Sequence, residues 1–369
     1  DQTLEHRTLR GLGTIHLKLE QNKEAIKYYK RSAETANKIG DTRDEGLNLE
    51  SVAHLYRKSG QYQDATKYYK QALEVARELG DKRGEGVNLG NMGNLYKNLG
   101  QYEEAIKSFQ EALEVVNEIE NNDYKIACLG NLGNIYSSLG QYEEATKSYL
   151  QSKTIARECG DKIREGLNLG NLGNVYRNTG MYKESIGSFS QSITIAQESG
   201  NKRNEGINLG NLGDVFLRLN QLDQAKKHFI QAIDICEKAF PFGVGVFSGS
   251  LALVYATQRN CNKALRLLET NEKIVAINPL EYGKFLCKKA KVYHLAMKPV
   301  QAKKYFEQAA AIASKLKINK VSELQNLLLE TKGVLSQKAN SFFDKAKIEE
   351  LSTEQKEDLR VEADSLLEK

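Results

Sequence analysis

Apolar side chains return every three or four positions through residues 81–120. Leu89, Met92, Leu95, Tyr96 and Leu99 make one face of a first run, and Ala105, Ile106, Phe109, Ala112, Leu113 and Val116 make one face of a second. This is the spacing of two amphipathic helices. Gly100 ends the first run and Gln101-Tyr102 opens the second. The same phrase then repeats with a period of forty residues, its register kept by Gly40, Gly80, Gly160 and Gly200, by Gly60, Gly100, Gly140 and Gly180, and by Tyr56, Tyr96, Tyr136, Tyr176 and Phe216. A fixed period of this size predicts a solenoid, in which each helix hairpin buries its apolar face only by stacking on the next. No strand pattern competes.

The junctions carry their own chemistry. Second helices end at Gly80-Asp81, Gly160-Asp161 and Gly200-Asn201, where glycine accepts the left-handed cap and the Asp or Asn side chain accepts orphan N–H groups of the following helix. Gly13, Gly93, Gly133, Gly173 and Gly213 lie mid-helix, at a cost of roughly 0.8–1.0 kcal/mol each relative to alanine, so they mark places where a neighbouring helix passes close. On the second helices, small residues at 25, 65, 105, 145, 185, 225, 264 and 302 are each followed four positions later by a large one, Tyr29, Tyr69, Phe109, Tyr149, Phe189, Phe229, Leu268 or Phe306. Small and large side chains interlock.

At these residues the chain resembles the tetratricopeptide repeat family, over about residues 3–316, with forty rather than the common thirty-four residues per unit. Its Leu-Gly-Asn helices and Gly-Asp-Lys junctions look most like the long-helix repeats of Pins/LGN-type adaptors and bacterial signalling arrays. The resemblance implies an all-α, right-handed superhelix of about eight hairpins with C-terminal capping helices. Residues 1–240 hold six regular units, 241–318 two degenerate ones that begin after Phe240-Pro241, and 319–369 the capping helices, of which 319–338 read as one helix.

Apolar residues make up 40% and charged residues 27% of the chain, with a formal net charge of +5. No run approaches the eighteen apolar residues of a membrane span, and no signal peptide is visible, so the expected setting is cytoplasmic. The chain opens at Asp1, in register with Asp41 and Asp81, and reads as a piece cut at a repeat boundary. Cys128, Cys159, Cys236, Cys261 and Cys287 are odd in number and scattered, the usage of reduced, buried thiols. His6, His16, His54, His228 and His294 make no metal-binding pair. Gly243-Val244-Gly245 lacks the strand and lysine of a phosphate loop and is expected to be a loop opening the seventh repeat. With no nucleophile placed beside a base, the chain reads as non-enzymatic, without cofactor or metal.

What remains is a surface. Asn91, Asn94 and Asn98 project at about one angle, opposite the apolar face of their helix. The same positions carry Asn131 and Asn134, then Asn171, Asn174 and Asn178, then Asn211 and Asp214. The resemblance implies that first helices line the concave groove, where stacked asparagines would offer donors and acceptors to an extended peptide backbone or simply bond to one another. Arg57, Lys97, Arg177 and Arg218, with Lys58, add positive charge that favours an acidic ligand. Gly90, Gly130, Gly170 and Gly210 stand where chaperone-binding relatives carry a lysine clamp, so chaperone C-termini are not the expected ligand.

Residues 284–320 hold ten lysines against one acid, Glu307, whereas 321–369 hold eleven acids against seven basic residues. The economical reading folds the acids at 349–358 over the basic eighth repeat. Nucleic acid is disfavoured, because base-stacking aromatics are few there. The chain is therefore read as a protein-interaction scaffold. The competing readings are the sensor segment of a larger protease or signalling NTPase, and a bacterial peptide-pheromone receptor.

Overall fold

The computed structural model describes residues 2–316 and 322–337, which form seventeen α-helices with no strand among them. In chain order these are α1 (Gln2–Lys18), α2 (Asn22–Ile39), α3 (Thr42–Lys58), α4 (Tyr62–Glu78), α5 (Lys82–Asn98), α6 (Tyr102–Glu118), α7 (Asn122–Ser138), α8 (Tyr142–Glu158) and α9 (Lys162–Asn178). They continue as α10 (Tyr182–Glu198), α11 (Lys202–Arg218), α12 (Leu222–Ala239), α13 (Pro241–Thr257), α14 (Cys261–Val275), α15 (Pro279–Leu295), α16 (Pro299–Lys315) and α17 (Glu323–Gln337). The chain is an all-α solenoid of helix hairpins. The acids at 349–358 and the terminal helices expected over 340–369 lie outside the described residues.

The junction chemistry sets these boundaries. The register glycines, from Gly40 to Gly200, take φ of 64 to 78°, the left-handed region that glycine enters without a Cβ clash. Glu20, Glu120, Asn220, Arg259 and Met297 adopt the same conformation without being glycine. Asp41 and Asp81 accept from the backbone N–H three residues on, at 3.1 and 2.9 Å. Asp161 and Asn201 do the same for α9 and α11. At the break in period, Phe240 closes α12 and Pro241 sits in the first turn of α13, where its missing N–H costs nothing.

The mid-helix glycines meet the aromatic rings of their own hairpins. A Cβ built on Gly13, Gly93, Gly133, Gly173 or Gly213 would lie 2.6–2.9 Å from Tyr29, Phe109, Tyr149, Phe189 or Phe229 respectively. The rings occupy the volume a side chain would need. Gly243 and Gly245 correct one expectation, for they belong to α13 and not to a loop. A Cβ on Gly243 would meet Cys236 Sγ at 2.7 Å, and one on Gly245 the Val275 backbone N at 3.1 Å. These glycines therefore let α13 lie close to its neighbours.

The residues fall into two compact units. An N-terminal unit comprises Asp1–Ser137 and Gln141–Asn168, and a C-terminal unit Ser138–Gly140 and Leu169 onward. In the first, Ala25, Tyr29, Val52 and Leu55 form one buried cluster and Ala33, Leu49, Ala72 and Val75 another. In the second, a longer core runs from Phe189 through Phe229, Phe247 and Leu268 to Val292. Leu286, Cys287, Ala309 and Ala313 form a further cluster with Leu324, Leu327 and Leu328 of α17. Cys128, Cys236 and Cys287 are buried, which pushes their thiols up to about 12, 11 and 11. Contrary to expectation, Cys159 is exposed and Cys261 only partly covered.

Candidate functional site

In the N-terminal unit the first helices bring Asn94, Lys97 and Asn131 together. Lys97 Nζ donates to Asn131 Oδ1 at 2.8 Å and to Asn94 Oδ1 at 3.2 Å. The amide nitrogens of Asn94 and Asn131 donate to the carbonyls of Gly90 and Ala127, one turn back, both at 3.1 Å. Asn134 Oδ1 accepts from the Tyr149 hydroxyl at 2.7 Å. Part of each amide is thus engaged within the fold. Burial pulls the Lys97 ammonium below its ordinary value, and no carboxylate among the described residues lies within ion-pair distance of Lys97 or Arg57. Asn91 is partly covered, while Asn98 and Lys58 are exposed.

A second set of asparagines, in the phrase Gly-x-Asn-Leu, was invisible to the face argument. Asn48, Asn88, Asn168 and Asn208 are buried. Each donates to the carbonyl four residues earlier or to a serine of the preceding hairpin: Asn88 to Gly84 O at 2.9 Å, Asn168 to Ser152 Oγ at 2.8 Å, Asn208 to Ser192 Oγ at 2.9 Å. Their signal was available, because they lie on the apolar side of the same helical wheel.

In the C-terminal unit the first helices carry a dense charge network. Arg177, only 6% exposed, donates from Nη2 to Glu323 Oε1 of α17 at 3.2 Å and places Nη1 3.8 Å from Asp214. Lys284 Nζ donates to Glu323 Oε2 at 2.6 Å and to Glu281 Oε1 at 2.8 Å. Asp214 Oδ1 accepts from Ser250 Oγ at 2.9 Å, and that hydroxyl accepts from Lys288 at 2.6 Å. One heptad along α17, Glu330 accepts from Arg218 at 3.3 Å and from Lys291 at 3.2 Å. Burial alone would raise the Glu323 carboxyl, but the charges of Arg177 and Lys284 overcome it and hold the group at about 2. Asn171, Asn174 and Asn211 are partly covered and Asn178 exposed, none with a side-chain hydrogen bond among the described residues.

Thus Arg177, Asp214 and Arg218, read from the sequence as groove residues, do meet on one face, and α17 lies against them. Three lysines of the eighth repeat also pair with carboxylates nearby. Lys289 is buried against Glu272 at 2.7 Å and sits 4.0 Å over the Tyr305 ring, while Lys284 and Lys291 take acids of α15 and α17. Elsewhere, in the N-terminal unit, His6 comes within 3.1 Å of Asp44 and 3.5 Å of Asp41, a cluster the histidine spacing did not show. Arg10 already pairs with Asp44 at 2.6 Å, so a cation there would face a guanidinium. No helix among the described residues is long and apolar enough to cross a membrane.

The tetratricopeptide repeat family matches residues 4–81, 85–158 and 165–238, well over half of the chain. Among solved structures, the apo quorum sensor NprR from B. thuringiensis superposes with a TM-score of 0.60 at 18% identity, over 81% of this chain and 86% of that one. Apo RapI gives 0.58 at 18% identity, over 74% and 100%. A STAND ATPase with a tetratricopeptide repeat sensor from Pyrococcus horikoshii gives 0.50 at 18% identity, over 95% of this chain and 50% of that one. At such identities the likeness is one of fold. No curated protein matches in sequence.

Proposed function

Because this chain belongs to the tetratricopeptide repeat family, we propose that it is a non-enzymatic protein-interaction scaffold that holds an extended peptide or partner segment on the faces formed by its first helices. Asn91, Asn94, Asn98, Asn131 and Asn134 serve in the N-terminal unit, and Asn171, Asn174, Asn178 and Asn211 in the C-terminal one. The observation that carries this reading is Lys97, a half-buried ammonium that meets the amide oxygens of Asn94 and Asn131 and no carboxylate among the described residues. Desolvating an ammonium is costly without an anion nearby, so a carboxylate arriving with a ligand gains a charge already aimed at it. Arg57, one unit earlier, also has no carboxylate within ion-pair distance among the described residues, its guanidinium meeting His54 at 3.4 Å, and both cations favour an acidic partner. The five free cysteines suit a reducing, cytoplasmic setting.

The solved neighbours, a quorum sensor and the repeat sensor of a STAND ATPase, support a second reading. In it the same faces receive a peptide signal, either as a pheromone receptor or as the sensor segment of a larger protease or NTPase.

The test starts from a peptide selected on the wild-type chain from a displayed library of extended sequences. Changing Asn94, Asn134 and Asn174 together to alanine should weaken that peptide at least tenfold while the helical circular dichroism signal and melting cooperativity stay near wild type. Unchanged affinity would reject the reading, and parallel loss of fold and binding would assign the asparagines to structure.

A further inference from the structure

Without α17, the first-helix face of the C-terminal unit would present Arg177, Arg218, Lys284, Lys288 and Lys291 against two acids of its own, Asp214 and Glu281. Arg177 is almost fully buried, and its one other carboxylate, on Asp214, lies at 3.8 Å. What balances the face is α17, which brings two carboxylates seven residues apart. Two turns of helix return a side chain to nearly the same angle, so Glu323 and Glu330 descend one edge of α17 and each engages two cations. The adjoining edge, Leu324, Leu327, Leu328 and Thr331, is buried. The helix thus reads as an acidic, leucine-striped ligand bound by the chain that encodes it.

We propose that this face is an acceptor site for an acidic amphipathic helix with carboxylates two turns apart, that α17 fills it in cis, and that a partner helix of the same chemistry is accepted in its place. The outer rung suits exchange: Glu330 and Arg218 are both partly exposed, and such ion pairs are individually weak and screened by salt, whereas the inner rung, Glu323 with Arg177 and Lys284, is more covered. A competing helix would present the same two carboxylates and the same leucines, so occupancy would be decided by concentration and small differences in complementarity. Asp214 and Ser250 hold Lys288 beneath the site whichever helix occupies it. The site rests on the peptide-binding reading for its choice of surface, while its test turns on charges and not on the asparagines, so the two can fail separately.

The probe is a labelled synthetic peptide covering residues 322–337, titrated by fluorescence anisotropy against the full chain. The double change Glu323→Lys, Glu330→Lys expels the resident helix from its cations, and this chain should bind the peptide at least tenfold more tightly than wild type does. A peptide with both glutamates changed to glutamine should bind it at least tenfold more weakly, as should a chain that also carries Arg177→Gln and Arg218→Gln. Equal, weak binding to wild type and the folded lysine variant would make α17 a fixed structural cap and overturn the site. Should the lysine variant fail to fold, wild type decides the matter. Excess peptide should speed hydrogen exchange of α17 at least threefold while α15 amides hold, and unchanged exchange at millimolar peptide would reject displacement.

Discussion

Two glycines three positions apart in α5 offer a measurement of how tightly the hairpins close. A Cβ on Gly90 would meet nothing within 4 Å, whereas one on Gly93 would lie 2.8–2.9 Å from three carbons of the Phe109 ring. Alanine at either site relieves the helix of glycine's cost, a gain of about 0.8–1.0 kcal/mol. At Gly90 that gain stands alone. At Gly93 it is opposed by overpacking, typically 1–3 kcal/mol, because Phe109 is 1% exposed and its ring has no free volume to enter. Gly90→Ala should therefore stabilise by about 1 kcal/mol, and Gly93→Ala should be neutral to destabilising by about 2 kcal/mol. The gap between the variants equals the packing cost. Urea denaturation followed by circular dichroism reads both, and hydrogen exchange should place the loss at Gly93 in α5, α6 and their immediate neighbours, as nearest-neighbour coupling requires. If both substitutions stabilise equally, the close glycine–aromatic contact is not what holds the hairpin. If protection falls evenly along the whole chain, the coupling is not local.

Two further outcomes follow from single groups. The Glu323 carboxyl sits below its ordinary value when folded, so its ion pairs contribute fully above the unfolded value of about 4.3 and are lost as pH falls through about 2. The melting midpoint of wild type should exceed that of Glu323→Gln at pH 7, with the gap closing between about pH 4 and 2; a pH-independent gap would contradict the pairing. Glu120 holds φ of 51° where most repeats place glycine. Glu120→Gly trades a left-handed cost of roughly 1–2 kcal/mol for glycine's extra unfolded entropy of about 0.5–1 kcal/mol, and should raise the urea midpoint by up to ~1.5 kcal/mol equivalent, a lowered midpoint being the contrary result.

The hairpins were legible because the information is local and repeated. The glycines of the fixed period, the capping Asp residues and the Gly93–Phe109 type of pair all act within one or two helices, so their spacing in sequence is their spacing in space. Gly243 escaped the same logic because the proline at 241 shifted the register, and a glycine pair beside a proline looks like a turn until the close approach of α13 to Cys236 and Val275 is seen. The asparagines were legible as a face but not as bonds. Wheel angle cannot tell that Asn94 folds back on Gly90 O, nor that Lys97 bridges to Asn131. The charge balance of the eighth repeat was legible only in part: the acids at 349–358 lie outside the described residues, and nothing in the spacing shows that Lys289 pairs with Glu272 of the preceding hairpin or Lys284 with Glu323 on α17. The contact between Arg177 and Glu323 depends on the curvature summed over every hairpin between them, which no local pattern encodes.

That contact also measures length. The partners are 146 residues apart in sequence, separated by the three complete hairpins α11/α12, α13/α14 and α15/α16. Repeats with matching glycine and aspartate junctions can be gained or lost upstream, each new unit simply finding the same neighbours. Between α9 and α17 the same event would carry Glu323 past Arg177 to a different rung and strand a buried guanidinium. The array is therefore free to change its count on one side of Arg177 and fixed on the other, which turns one ion pair into a ruler for the number of repeats that follow it.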